Sequence, residues 1–243
     1  MSGQNFMNET KYEAMEPPDQ VRELAQPPLQ KAYDPECVKI DLPMPEHFPQ
    51  MSPVDFLALI ELRASVRDYL KQPMPLLELS FLLWCSQGVK MVLGDKATKR
   101  TVPSAGSRHA LETYLLVNDV EGLTPGLYRF LAIEHKLTPV SVAEGIKGRL
   151  VEACMGQQFI GQSAVCFLWS AVAYRMTWRY GERGYRYLHL DAGHACQNLY
   201  LAAQAIDYGV CAFATFDDDR LNKELLLDGK EEFIIYAAAV GKI

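Results

Sequence analysis

The chain is 243 residues long, 49% apolar, and carries a formal net charge of -6. That length suits one large domain or two small ones, and a weakly acidic chain has no global electrostatic reason to hold nucleic acid or an anionic membrane. No uninterrupted apolar run approaches the ~18 residues of a membrane span, and the opening MSGQNFMNETKYEAMEPPDQ lacks the basic-then-apolar layout of a signal peptide, so a cytoplasmic location is the default expectation.

Pro17, Pro18, Pro27, Pro28, Pro35, Pro43, Pro45 and Pro49 crowd the first fifty residues. Proline fixes φ and donates no hydrogen bond, which excludes a long helix or a central strand there. Residues 1–50 therefore read as an extended arm, either disordered or wrapped on a partner subunit, and 51–243 as one domain. Ser52-Pro53-Val54-Asp55 supplies an N-cap, a first-turn proline and an acid for a helix running to about Arg63. A second helix spans Leu76 to Gln87, closed by Gly88. A polar loop with four basic residues follows from Gly94 to Arg108.

Leu111 to Val117 reads as a strand, with Gly126 to Phe130 and His135 to Pro139 as a hairpin on the same sheet. Ser141-Val142-Ala143-Glu144 looks like a capping box for a helix to about Cys154. The near-continuous apolar run Ser163 to Val172 suits a central buried strand. Tyr185 to Tyr208 is the longest helical segment, largely buried and stopped by Gly209. A strand over Val210–Phe216, a short helix over Asp219–Leu227 and a final strand over Phe233–Val240 complete the pattern. Helices and strands alternate irregularly around a hairpin, which predicts an α+β fold.

Cys37, Cys85, Cys154, Cys166, Cys196 and Cys211 form no CxxC pair and sit mostly in apolar surroundings. They read as reduced core thiols, and no metal site is expected.

Five segments offer chemistry. Arg63-Ala64-Ser65-Val66-Arg67 places two guanidiniums and a hydroxyl within five residues. That donor set matches a phosphate monoester, although cations past a helix end also suit the helix dipole. Pro103-Ser104-Ala105-Gly106-Ser107-Arg108-His109 lets a backbone approach a flat ligand, or is an ordinary turn. Trp178 to Tyr187 packs three tyrosines, three arginines and a tryptophan into ten residues. It reads as a pocket rim or as tyrosines packing a helix start. Asp191 and His194 read as a hydrogen-bonded core pair, and Cys196 lies too close to His194 along the helix to form a nucleophile–base dyad. Gly209 to Asp219 ends a strand in small residues and opens an acidic helix start, so its N–H groups can face a ligand.

In this order the segments resemble one family. RASVRDY is similar to the opening motif of FMN-dependent nitroreductases. PSAGSRHALETYLLV, GLYRF with HKLTPV, RYGERGYRYLHLDAGHACQNLYLAAQA, GVCAFATFDDDRLN and the closing YAAAVGK resemble the SagB-type (thiazole/oxazole-forming) dehydrogenase branch. The resemblance covers roughly Asp55 to Lys242. It implies a mixed sheet flanked by helices and an intertwined homodimer with FMN at the interface. By the same resemblance Arg63, Ser65 and Arg67, with Ala64 between them, hold the FMN phosphate and ribityl chain. Pro103, Ser104, Ala105 and Gly106 reach the flavin from the other subunit. The backbone at Ala214 and Thr215 lies by the flavin N5 edge, and Lys242 matches a basic position near the family's C-terminus. NAD(P)H would bind only transiently, in keeping with a chain that has no GxGxxG motif.

Two positions depart from the branch. Arg179-Tyr180 stands where heterocycle-forming members carry Lys-Tyr, the pair held to remove a proton during azoline oxidation. Arginine, with a pKa above about 12, is a poor base, whereas Tyr180 can still relay a proton. Ala214 also stands where relatives often carry glycine. Three functions follow: a flavin-dependent reductase acting on small organic acceptors, an azoline peptide dehydrogenase working with a cyclodehydratase, and a non-catalytic flavin-binding protein.

Overall fold

A computed structural model describes residues 2–48 and 54–243. Its strands are β1 (Ile40–Asp41), β2 (Val89–Leu93), β3 (Ala97–Arg100), β4 (Leu111–Val117), β5 (Gly126–Leu131), β6 (Lys136–Ser141), β7 (Val165–Val172), β8 (Tyr208–Phe213) and β9 (Glu232–Lys242). The helices are α1 (Gly3–Glu9), α2 (Phe56–Leu62), α3 (Leu76–Gln87), α4 (Ile146–Ala153), α5 (Gln158–Gln162), α6 (Ala173–Tyr180), α7 (Gly184–Gln204) and α8 (Asp218–Glu224).

Seven strands form one sheet in the order β1-β6-β5-β4-β7-β9-β8. All of its ladders are antiparallel, and among the described residues parallel pairing enters only at the isolated bridges Ser65–Val210 and Met74–Val120. Strand periodicity explains the layers. Along β7, Val165, Phe167, Trp169 and Ala171 face a core shared with α3 and α7, through Leu79, Leu83, Leu188 and Leu199. Cys166 and Leu168 face the opposite core, with Leu150 of α4, Ile160 of α5 and Leu221 of α8. Ala237, Ala238 and Ala239 are fully buried, and their small side chains let both helical layers close on β9. This is the expected α+β class: helices on both faces of a large sheet.

Residues 2–48 pack against the same chain. Ser2 caps α1, accepting from the Asn5 N–H at 3.3 Å. Gln20 N–H donates to Trp178 O, and Trp178 Nε1 donates to Leu24 O. Further on, a strap over residues 26–33 is tied down by Gln26 Nε2 on Lys96 O, Gln30 and Tyr33 on Glu134, and Lys31 on Glu232.

Several expectations move. Ser52 and Pro53 lie outside the described residues; Asp55 is the N-cap of α2, accepting from Leu57 and Ala58. Within the loop expected over Gly94–Arg108, residues 97–100 form strand β3, paired with β2 as a hairpin. Ser141 ends β6 instead of opening a helix, and α4 begins after Gly145. Helix α7 stops at Gln204, Tyr208 and Gly209 already belong to β8, and β8 stops at Phe213. One face of α7 is also open: His189, Leu190, Gly193, His194 and Gln197 are exposed. The six cysteines are free, and four of them are buried. Among the described residues no helix is long and apolar enough to cross a membrane.

Candidate functional site

The segment after α2 runs onto the open edge of β8. Ser65 bridges Val210, and Val66 N–H donates to Val210 O at 2.9 Å. The Tyr200 hydroxyl of α7 then ties two parts together, pairing with Ser65 Oγ at 2.9 Å and accepting from Ala212 N–H at 2.9 Å. Arg63 lies over the Tyr200 ring at 5.4 Å, and Arg67 over Phe159 at 5.9 Å. Among the described residues neither guanidinium has a carboxylate partner. Burial raises the Cys211 thiol while the Arg67 charge opposes it, so Arg67 acts on the outgoing end of β8. Just beyond, Ala214 and Thr215 are exposed. Gln157 Nε2 pins this loop by donating to Thr215 O at 2.9 Å and to Cys154 O at 3.0 Å. Two free guanidiniums, a hydroxyl and an open backbone loop thus converge at one end of β8. As a donor set they fit a phosphate ester.

A second group forms elsewhere on α7. Pro103 and Ser104 lead into a tight turn over Ala105–Ser107. Ser104 Oγ accepts from His109 N–H at 2.9 Å, and Ala105 N–H donates to Asp191 Oδ1 at 3.2 Å. Gly106 has φ +57°, and a Cβ there would fall 2.5 Å from Tyr180 Oη and 2.7 Å from Arg179 Nε. Only glycine fits such a left-handed position against two side chains. The fold therefore brings Arg179 and Tyr180 onto the same turn as Ser104–Gly106. Tyr180 also meets Tyr187 edge-on at 4.8 Å.

The rest of the aromatic segment is largely packing. Tyr185 stacks on Phe233, while Arg183 and Arg186 donate to Thr10 and Met7 of the arm. Lys242 donates to Ile206 O at 3.1 Å and lies over the Tyr208 ring, so its ammonium is engaged at the end of α7.

The Asp191–His194 pair does not form. His194 is exposed, while Asp191 is 5% exposed and serves the Ser104–Ala105 turn instead. Its Oδ2 has no partner in the described structure. Burial pushes the Asp191 carboxyl above its ordinary value, against the Ser104 hydroxyl and the Ala105 N–H. A native carboxyl with a raised pKa binds its proton more tightly than the unfolded chain does, so its contribution to stability falls as pH rises through the raised value. Asp191→Asn should flatten that part of the profile. Urea midpoints between about pH 4 and 7 check it, and parallel profiles for the two proteins would refute the assignment.

Asp191 and Tyr200 are nine positions apart on α7. At 1.5 Å and 100° per residue they lie about 14 Å apart and on opposite faces. The two groups therefore look away from each other within one chain.

The matches to known proteins place the chain in a family. The Nitroreductase family profile matches residues 60–242. A nitroreductase-named protein of Methanocaldococcus jannaschii is 33% identical over 180 residues, 74% of this chain and 87% of that protein. The trifolitoxin-processing protein TfxB of Rhizobium leguminosarum bv. trifolii is 30% identical over 122 residues, covering 49% of this chain and 33% of TfxB. Among solved structures, a nitroreductase-named protein of Anabaena variabilis superposes with TM-score 0.68 at 26% identity, covering 86% of this chain and 42% of that one. The Escherichia coli microcin synthetase McbBCD complex with truncated pro-microcin contains a chain that superposes with TM-score 0.62 at 20% identity, over 81% of this chain and 77% of that one. A Desulfovibrio desulfuricans nitroreductase in complex with FMN superposes with TM-score 0.55 at 18% identity, over 78% of this chain and 87% of that one. The chain belongs to the nitroreductase family and is an oxidoreductase of that fold.

Proposed function

We propose that the protein is a cytoplasmic FMN-dependent oxidoreductase that passes hydride between NAD(P)H, bound flavin and a small organic acceptor. The observation that carries this reading is the convergence of Arg63, Ser65 and Arg67 on the outgoing end of β8, with both guanidiniums free of carboxylates. In this reading Arg63, Ser65 and Arg67 hold the FMN phosphate and ribityl chain, with Ala64 as the short spacer between them. The exposed backbone at Ala214 and Thr215 offers polar groups to the isoalloxazine edge, as a preorganised electrostatic site. Pro103, Ser104, Ala105 and Gly106 look the other way along α7, so they serve the FMN of a second copy, and the active unit is a homodimer. The open α7 face and the exposed Phe56, Leu57 and Leu62 of α2 are surfaces that such a copy would cover. When bound, the flavin supplies the hydride chemistry itself. The protein named above that was solved with FMN supports the cofactor.

A second reading is azoline peptide oxidation. Tyr180 Oη rests against the Gly106 turn beside Arg179, where it can hold or pass a proton. TfxB, which processes trifolitoxin, and the microcin synthetase with its bound pro-peptide support a SagB-type role and a peptide partner. Purified protein should be yellow, bleach with NAD(P)H and regain colour with a nitroaromatic acceptor. Oxidation of azoline peptide, lost in Tyr180→Phe, would select the second reading. Flavin bound without hydride transfer to any acceptor would mark a binding protein, and colourless protein that ignores added FMN would overturn the proposal.

A further inference from the structure

The turn at Gly106 carries more positive charge than the chain's acidity would suggest. Arg108 is 4% exposed, stacked over Trp178 at 5.4 Å, and donates to Gly106 O at 3.2 Å and Lys96 O at 2.7 Å. Those carbonyls fix its position but leave its charge uncompensated. Arg179 sits on the last turn of α6, half-buried, with its Nε against Gly106. The two guanidiniums feel each other: burial first, and then the Arg179 charge, lower the Arg108 pKa, and no carboxylate acts on it. Among the described residues neither has an ion-pair partner. The Tyr180 hydroxyl completes the rim with a donor.

Two neighbouring guanidiniums, one of them buried, are costly without an anion, and an arginine fork matches an oxyanion with two parallel hydrogen bonds. A neutral group would leave both charges in place. We propose that Arg179, backed by Arg108 and flanked by Tyr180, is a specificity site for an oxyanion on the substrate. The oxyanion is either a carboxylate of the acceptor or the 2′-phosphate of a nicotinamide donor. The inference rests on the flavin reading above, because it takes this turn to border the reacting face. It gives Arg179 a role that a permanently protonated side chain can perform, unlike that of a base.

The test compares wild type, Arg179→Gln and Arg179→Lys. Calorimetric titration with benzoate, and with benzamide as the neutral control, is done on both FMN-loaded and FMN-free protein. Benzoate should bind wild type more tightly than benzamide does, weaken with added salt, lose about 10- to 100-fold in Arg179→Gln and recover in part in Arg179→Lys. Kinetics then separate the sources. A fall in the kcat/KM ratio of 4-nitrobenzoate over 4-nitrobenzyl alcohol assigns the acceptor carboxylate. A fall in the NADPH over NADH ratio assigns the donor phosphate. Benzoate binding unaltered by Arg179→Gln, with both ratios unmoved, overturns the proposal. Protein that binds benzoate through Arg179 yet takes up no FMN would instead sink the flavin reading and, with it, the assignment of this anion site to a reacting substrate.

Discussion

Arg63→Ala is expected to weaken FMN binding by about 10- to 100-fold, since a hydrogen bond to a charged group contributes roughly 1.5–3 kcal/mol. Arg63 is the better-placed of the two cations. It is half-buried against the Tyr200 ring, whereas Arg67 is exposed, so Arg67→Ala should cost less. Tyr200 also fixes Ser65 and Ala212, which lets the arginine act from a rigid surround. Quenching of FMN fluorescence on titration measures the effect. The wild-type affinity should fall with salt, and this dependence should shrink in the variant. Unchanged affinity in Arg63→Ala would refute the phosphate assignment.

Glu112→Gln is expected to destabilise the fold by about 3–5 kcal/mol, the usual cost of removing one partner of a buried ion pair. Glu112 is 4% exposed and meets Arg175, 2% exposed, at 2.8 Å. Burial works to raise the Glu112 carboxyl, yet the Arg175 charge, the Lys31 N–H and the Arg129 charge outweigh it and hold the group below its ordinary value. Neutralising Glu112 leaves Arg175 buried with its Nε already unpartnered, and it strips charge compensation from Arg100, whose pKa burial lowers to about 10. For a chain of this size the melting temperature should drop on the order of 10 °C. Because the native pKa is depressed, the stabilisation is present at neutral pH and fades as pH falls through that depressed value. Glu112 also anchors the strap through Lys31 N–H at 2.7 Å, so proteolysis within residues 26–33 should accelerate. Glu112→Leu combined with Arg175→Met should recover much of the loss. A Glu112→Gln melt within 1–2 °C of wild type, about the size expected for a surface change, would show that the pair contributes little.

The sheet and its layers were legible because the signals were local and strong. Helix α3 and strand β4 fall where the sequence places them, and β7 starts two residues late, since its apolar run is long and bounded. Helix α6 carries little local signal: it opens without a side-chain cap, and its buried Arg175 is held by Glu112 and by His109 O, both distant in sequence. The β2–β3 hairpin gives a weak strand signal because the apolar residues of β2 are mostly exposed and β3 buries the polar Thr98 and Arg100. Helix α7 ended early because Asp207 adopts a left-handed φ of +62°, which propensity does not forecast.

At the site, motif spacing exposed Arg63, Ser65, Arg67 and the Ser104–Gly106 turn. Their partners were hidden by distance along the chain. Tyr200 is 135 residues from Ser65, and Asp191 is 86 from Ala105. Local spacing favours pairing Asp191 with the nearer His194, whereas the fold turns it to the Ser104–Ala105 turn. Arg108 falls inside the Pro103–His109 segment, but it is buried under Trp178, which is distant in sequence.

Strand β9 follows every other strand in sequence yet lies between β7 and β8. A chain emerging from the ribosome must therefore keep a slot open in its own sheet until residue 242 has been made. During that interval β7 and β8 expose apolar edges with no neighbour to pair with. Cotranslational folding can settle the β4–β7 half early, but the region that positions Ser65 and Ala212 forms only with the final strand. Premature termination upstream of Glu232 would leave a nascent product that is sticky rather than merely inactive.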